Sequence, residues 1–583
     1  MHDRRHVARP LLGLLALWGA FFCTLPDQVP GAPSSPGAAA SGSNARLAGA
    51  TAATLPSVVD GWTSSTTLRT ADGWYATPVH ATLLPDGRVL FSGIARNADP
   101  PTATTTQRRV SWVMPIQALG TPMTASTVIT EVREPVTYDV PLSSTAFTYD
   151  DLICSGQTLT ADGKVVTAGG TRASKTAASS TLYVSGLPTE TKFDGTTWNQ
   201  FPGTMLAAGA NGSPDRWYPT VTRLPDTRLL ISGGYEDVAP TPAPIPAVET
   251  LDPATGARTL FSDRTTTPSA ITNRDYTHVF VLPTTTSAND LLMLGEQSVA
   301  VETSTTTPGR FTTLTGRPGY TGAAGLNWGT SSLMLPIRTT DNQWGYHNGA
   351  VLIASGNMGS IYQHRADIFD PITGAWKTSI DLQVNRHHPS SVNLPDGRVL
   401  LVNGHDMAGD PQVKQAEYID PAQNFKVSLG TADEGVVRGY HSIALLMPDG
   451  RVLVGGGRDQ NTDASLEKPT FQFYLPDYLT KPRPVITSAP TQLNFASLAA
   501  ITTTGPAPSE VVLVGLGSMT HSFDSDQRYV QLPIGLNSTN ASSASLVIAG
   551  APANSHVAPP GYYMLFVLDA NRVPSVAKIV HVG

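Results

Sequence analysis

Apolar residues along this chain fall in short blocks separated by polar turns, and one arrangement of block, turn and block recurs. Its plainest copies are LLPDGRVLFSG (83–93), LTADGKVVTAGG (159–170), LPDTRLLISGG (224–234), LPDGRVLLVNG (394–404) and LLMPDGRVLVGGG (445–457). Two more copies, VLPTTTSANDLLMLG (281–295) and HNGAVLIASG (347–356), are degenerate. Asp-Gly between apolar runs predicts a hairpin, because the tight turn needs positive φ at its central residues. The copies close near Gly93, Gly170, Gly234, Gly295, Gly356, Gly404 and Gly456, at spacings of about fifty to eighty residues. That period predicts a seven-bladed β-propeller, with the glycine-ended strands near its axis, where backbone must pack closely. IFDPITGAW (368–376) and TLDPATGA (250–257) read as outer hairpins of blades.

The pattern changes near Lys481-Pro482-Arg483-Pro484. From residue 485 to 583, short alternating strands such as VVLVGL (511–516), ASLVIAG (544–550) and YYMLFVLD (562–569) predict an antiparallel sandwich the size of an immunoglobulin-like domain, packed on the propeller. The propeller itself is expected over 58–480.

At the other end, Arg4, Arg5 and Arg9 precede an apolar run from Leu11 to Leu25, so residues 1–27 read as a secretory signal or, if uncleaved, an N-terminal anchor. Residues 28–57 are Ala, Ser, Gly and Pro with almost no large apolar side chain, and read as a flexible spacer. A net charge of −7 without a basic tract argues against nucleic acid. The expected protein is therefore secreted or at the cell surface, all-β, monomeric, and near a membrane only if the N-terminal segment is retained. Asn-X-Ser/Thr occurs at Asn211, Asn537 and Asn540.

The chain has two cysteines, Cys23 and Cys154, and Cys23 lies in the apolar N-terminal run. Cleavage there would leave Cys154 without a cysteine partner in an oxidising compartment, so that it is buried, paired between chains or used for chemistry. Cys154 stands eight residues before the turn residue Asp162, Tyr218 eight before Asp226, and Tyr440 nine before Asp449 with His441 beside it. Equivalent blades would gather these side chains at one end of the axis, as a metal site requires. Neighbours on a regular strand point to opposite faces, so joint binding by Tyr440 and His441 requires the backbone to leave strand geometry there.

These residues, with THSFDSDQRYVQLP (520–533) and PPGYYMLFVLDANRVPSVAKI (559–579), resemble the copper radical oxidases, the galactose oxidase and glyoxal oxidase family, from about residue 79 to 583. The resemblance implies a kelch-type propeller followed by an early-set immunoglobulin-like domain. It implies that Tyr218, His441 and His521 are copper ligands with Tyr440 axial, and that Cys154 is joined by a thioether to the ring of Tyr218, which carries a tyrosyl radical. Two imidazoles and a phenolate suit Cu(II) better than Zn(II) or Ca(II). Members of the galactose oxidase type place a tryptophan over the cross-linked ring; here Glu236 stands at that position, beside Tyr235, and Trp217 or Trp328 is the alternative shield. The sugar-binding N-terminal domain of galactose oxidase has no counterpart before residue 58. His387 and His388 are expected to pack behind the site or line a channel, and His80 and His405 to be structural.

The expected activity is oxidation of a primary alcohol or aldehyde, carbohydrate included, with O2 giving H2O2, Tyr218 and Cys154 forming the radical cofactor and Tyr440 acting as base. The preference is for a glyoxal-type oxidase over a galactose oxidase. The alternative is a non-catalytic extracellular propeller that binds glycan or protein, since fold alone does not decide function.

Overall fold

The computed structural model describes residues 61–583 outside 100–106, 117–125, 135–146, 176–182, 207–211, 237–243, 263–275, 284–289, 295–298, 303–308, 315, 319–328, 357–363, 406–410, 459–466 and 540–543. The expected signal and spacer, Gly295, Trp328, Asn211 and Asn540 lie outside the described residues.

Among the described residues the secondary structure is strand, with only short 3-10 turns such as Asp477–Thr480. Seven antiparallel units follow one another. Each opens with the strand ahead of a turn: Tyr75–Leu83, Phe147–Leu159, Thr220–Arg223, His278–Val281, Thr330–Met334, Ser390–Asn393 and Ser442–Leu446. The third unit is the simplest case, Thr220–Arg223 pairing with Leu229–Ser232, then Val248–Leu251, then Arg258–Ser262. TLDPATGA and IFDPITGAW join the third and fourth strands of their units, as expected for outer hairpins. The seventh unit, Ser442–Leu446, Val452–Gly456 and Thr470–Leu475, takes its outer strands from the start of the described chain, Gly61–Trp62 and Thr66–Arg69.

The turns form as their chemistry dictates. Gly87 and Gly450 take φ of +85° and +91°, and Thr227, which replaces the glycine in LPDTR, is forced to +74°. The first strands of units one and two, two and three, three and four, five and six, six and seven, and seven and one touch. Units four and five meet through His278 Nδ1 and Ser332 Oγ at 2.6 Å. Some glycine ends of the second strands lie against the neighbouring unit: a Cβ on Gly456 would stand 2.1 Å from the Pro78 carbonyl oxygen of unit one, and one on Gly169 2.3 Å from the Arg216 carbonyl oxygen ahead of unit three.

Residues from Val485 onward form two sheets. One orders Val485–Ser488, Leu498–Thr504, Ala544–Gly550 and Ile534–Thr539; the other orders Gln492–Leu493, Lys578–Val582, Gly561–Asp569, Pro508–Gly515 and Tyr529–Leu532. Their core is continuous with that of units four and five: Ile501, Val511, Leu513 and Val547 pack in one cluster with Phe280, Leu292, Met334 and Ile353. A hairpin of this domain, Ser518–Thr520 and Phe523–Asp524, leaves the sandwich and adds to two units at once, pairing with Tyr75–Leu83 (His80 opposite Thr520) and with Thr330–Met334 (Ser332 opposite Phe523). Its tip carries His521.

Candidate metal centre

In six of the seven units a residue bent out of strand geometry stands at the start of the first strand or, in unit two, at an irregularity within it. Cys154, Tyr218, Tyr276, His388 and His441 have φ of 68°, 62°, 27°, 59° and 69°, and Gly329 holds the same place at 69°. His388 and His441, like Cys154 and Tyr218, stand eight residues ahead of the turn aspartate, Asp396 and Asp449. His441, one residue beyond Tyr440, therefore occupies the position equivalent to Cys154 and Tyr218. The left-handed turn at His441 meets the condition that adjacency imposes, for the Tyr440 and His441 rings lie side by side with centroids 4.0 Å apart.

All five residues singled out in the sequence converge. The hydroxyls of Tyr218 and Tyr440 are 2.5 Å apart. The His521 ring is 4.8 Å from that of His441, 5.1 Å from Tyr440 and 5.2 Å from Tyr218, centroid to centroid. Cys154 Sγ and one nitrogen each of His441 and His521 lie within 4.8 Å of one another. Tyr218 N–H donates to the Cys154 carbonyl at 2.9 Å. None of the five is more than 8 % exposed.

Outward-facing bonds fix the rings. His441 Nδ1 meets Glu467 Oε1 at 2.6 Å, and His521 Nδ1 meets Thr520 Oγ1 at 2.6 Å. Nε2 of each histidine is buried and, among the described residues, has no hydrogen-bond partner. A buried polar nitrogen left so costs stability unless something fills the place. Two such nitrogens, on rings packed against a pair of phenols whose oxygens lie 2.5 Å apart, offer a mixed nitrogen and oxygen set that suits Cu(II). Burial holds His441 below the usual imidazole pKa against the pull of Glu467, and burial first, aided by the Arg458 charge, holds His521 well below it. Both are therefore neutral donors at ordinary pH. Burial pushes the Glu467 carboxyl upward, but His441, Arg458 and Arg96 outweigh it and hold it at about 2.

Around this cluster the Trp217 ring lies 3.9 Å from Tyr218 at 34°, its Nε1 donating to Thr171 Oγ1 at 3.1 Å. Glu236, at the place of the shielding tryptophan in galactose oxidases, is buried but carries no ring. His80 Nε2 accepts the Cys154 N–H at 3.2 Å, which gives this histidine a structural role beside the site. His387 and His405 pair through Nδ1 and Nε2 at 3.3 Å, and His388 presents its ring to Tyr440 at 5.0 Å. Three neighbours are not evident from the sequence. Tyr276 packs its ring 5.1 Å from Tyr218 and 4.8 Å from His521, and its position ahead of the degenerate 281–295 copy is the one signal that marks it. Arg458 lies over the Tyr440 ring at 4.6 Å, and Glu467 pairs with Arg458 in an antiparallel bridge; no local pattern marks either.

Two family models match the chain: "Glyoxal oxidase N-terminus" over residues 134–474, more than half its length, and "Galactose oxidase-like, Early set domain" over 483–582. The aldehyde oxidase GLOX of Vitis pseudoreticulata is 27% identical over 418 residues, covering 66% of this chain and 74% of that protein. A galactose oxidase of Gibberella zeae is 33% identical over 204 residues, 33% of this chain and 29% of that protein. Among solved structures, a fungal alcohol oxidase of the AA5 family in complex with copper shares the fold at a TM-score of 0.65 and 18% identity, covering 90% of this chain and all of that one. The chain belongs to the copper radical oxidases, the family of the glyoxal and galactose oxidases, and is an oxidoreductase of that family.

Proposed function

We propose that this chain is a secreted, monomeric oxidase of primary alcohols or hydrated aldehydes that reduces O2 to H2O2, with its seven units arranged as the blades of a propeller and its copper held at their common end. In this reading Tyr218, Tyr440, His441 and His521 hold the metal, and Cys154 is joined by a thioether to the ring of Tyr218. The observation that carries it is the convergence of two unpartnered, buried Nε2 atoms with a buried thiol and two phenol oxygens 2.5 Å apart. Aldehydes are favoured over galactose because the aldehyde oxidase relative matches 66% of the chain and the galactose oxidase relative 33%.

The thioether forms by loss of one hydrogen from Cys154 Sγ and one from the Tyr218 ring, with O2 as oxidant. Oxidised once more by O2, with loss of one electron and the phenol proton, Tyr218 would take a hydrogen atom from the substrate carbon, and Tyr440, whose oxygen lies 2.5 Å from that of Tyr218, would take the hydroxyl proton. Bound copper supplies the second one-electron acceptor and acidifies the substrate hydroxyl, so that two electrons leave the substrate and reach O2. Burial of all five residues excludes water that would quench a radical.

Mass spectrometry of copper-loaded, air-exposed protein tests this. Peptides of Cys154 and Tyr218 are expected joined with loss of two hydrogens, and Cys154→Ser is expected to bind copper and lose most activity. An alkylatable Cys154 beside an unmodified Tyr218, or full turnover by Cys154→Ser, would transfer the case to a binding propeller.

A further inference from the structure

We propose that Glu467 is a positioning residue for the metal, fixing the His441 ring and making it the more basic of the two imidazoles; this rests on the copper reading above. The carboxylate oxygen is an acceptor only, so the 2.6 Å contact puts the ring proton on His441 Nδ1 and leaves Nε2 a bare lone pair. Among the described residues that Nε2 has no hydrogen-bond partner. The ring of His521 is held differently, its Nδ1 meeting the neutral hydroxyl of Thr520 at 2.6 Å. An anionic partner raises the electron density of an imidazole ligand, and a hydroxyl does so far less. The two histidines, alike in sequence terms, are therefore unequal donors.

Glu467 is itself held firmly. Its main-chain oxygen accepts from the Arg96 guanidinium, it forms an antiparallel bridge with Arg458, and the next residue, Lys468, donates its N–H to the Gly457 carbonyl at 2.8 Å. Arg458 in turn lies 4.6 Å over the Tyr440 ring, so one bridge braces both neighbouring candidate ligands. Glu467 is 2 % exposed, and it reaches His441 from 26 residues away.

The test is Cu(II) binding by full-length, metal-free protein in competition with a chelator, joined to the Cu(II)/Cu(I) potential and the Cu(II) EPR spectrum. Glu467→Gln keeps an acceptor oxygen and removes the charge, whereas Glu467→Ala removes both. Outer partners of metal-bound histidines are worth about 10–100-fold in affinity, so the glutamine variant is expected near the low end and the alanine variant near the high end, each with a raised potential. Thr520→Val is expected to lose less than Glu467→Gln. Should Glu467→Ala not fold, the near-isosteric glutamine variant decides alone. Unchanged affinity, potential and EPR in the Glu467 variants, with metal lost in His441→Ala, would overturn the inference and leave the copper reading standing. Copper binding unchanged in His441→Ala would overturn both.

Discussion

Cys154, Tyr218 and His441 carry side chains at φ of 62–69°, where ordinary residues are strained. Each such residue costs on the order of 1–3 kcal/mol and persists only where its surroundings demand it. Here the demand is geometric: a left-handed residue at the start of a strand turns its side chain out of the pleat toward the residues of other units. For the proposed radical, the described neighbour placed to shield it is Trp217. Its ring lies on Tyr218, and its Nε1 is tied to Thr171 Oγ1, which donates to the Ile153 carbonyl next to Cys154. Trp217 and the Cys154–Tyr218 pair are thus held by one chain of bonds. Trp217→Phe is expected to keep copper and the thioether while the radical decays severalfold faster, since an aromatic stack contributes about 1 kcal/mol; the decay of its EPR signal measures this. An unchanged lifetime would move the shielding role elsewhere.

At the scale of the element, a buried arginine locks the mouth of several units. Arg216, Arg386 and Arg438 donate to the carbonyls of Gly233, Asn403 and Gly456, at the ends of their own second strands, at 2.9, 2.8 and 2.9 Å. Each also faces a carboxylate, Glu249, Glu417 and Glu434, and none of the six side chains is more than 1 % exposed. Removing one partner of such a pair strands a buried charge at a cost of about 3–5 kcal/mol, whereas replacing both with apolar groups is often nearly neutral. Arg386→Leu is therefore expected to lower the denaturation midpoint sharply and Arg386→Met with Glu417→Leu to recover much of it; equal losses in both would mean that the backbone contacts carry the effect. The turns and the strands beside them were legible in the sequence because Asp-Gly chemistry is local. The clamp was not, because the carboxylate stands 33 residues after the arginine in one unit, 31 in another and 4 before it in a third. The same reason hid Glu467, while Tyr276 was hidden by a turn without Asp-Gly. The five site residues were found through their resemblance to a family, with the equal offsets of Cys154 and Tyr218 as support. Of the pair Tyr440-His441, it is His441 that keeps the offset of eight, because the left-handed turn falls on it.

Across the whole molecule, the hairpin that delivers His521 holds domains and units together, and His278 marks the junction. Its Nδ1 meets Ser332 Oγ of unit five at 2.6 Å, and its ring stacks on Phe523 of the hairpin at 4.1 Å and 6°. Burial lowers the His278 pKa from 6.5 to about 3. The folded chain thus keeps this ring neutral over a range in which the unfolded chain protonates it. The unfolded state binds the extra proton between these values, so stability from this group is complete above about pH 6.5, declines as pH falls, and stops declining near pH 3. His80, lowered to about 3 first by burial and then by His441, adds in the same direction. Glu134 and Asp151, raised by burial to about 7 and 6, act in the opposite sense, losing stability as pH rises through that range. His278→Asn places an amide near the Nδ1 position without a titrating ring. It is expected to be less stable than wild type at pH 7, through loss of the stack on Phe523, and to lose less on acidification, with a shallower slope of denaturation midpoint against pH between 6.5 and 3. Parallel slopes would mean that the junction opens before the rest of the molecule and lets water reach His278 in the folded state.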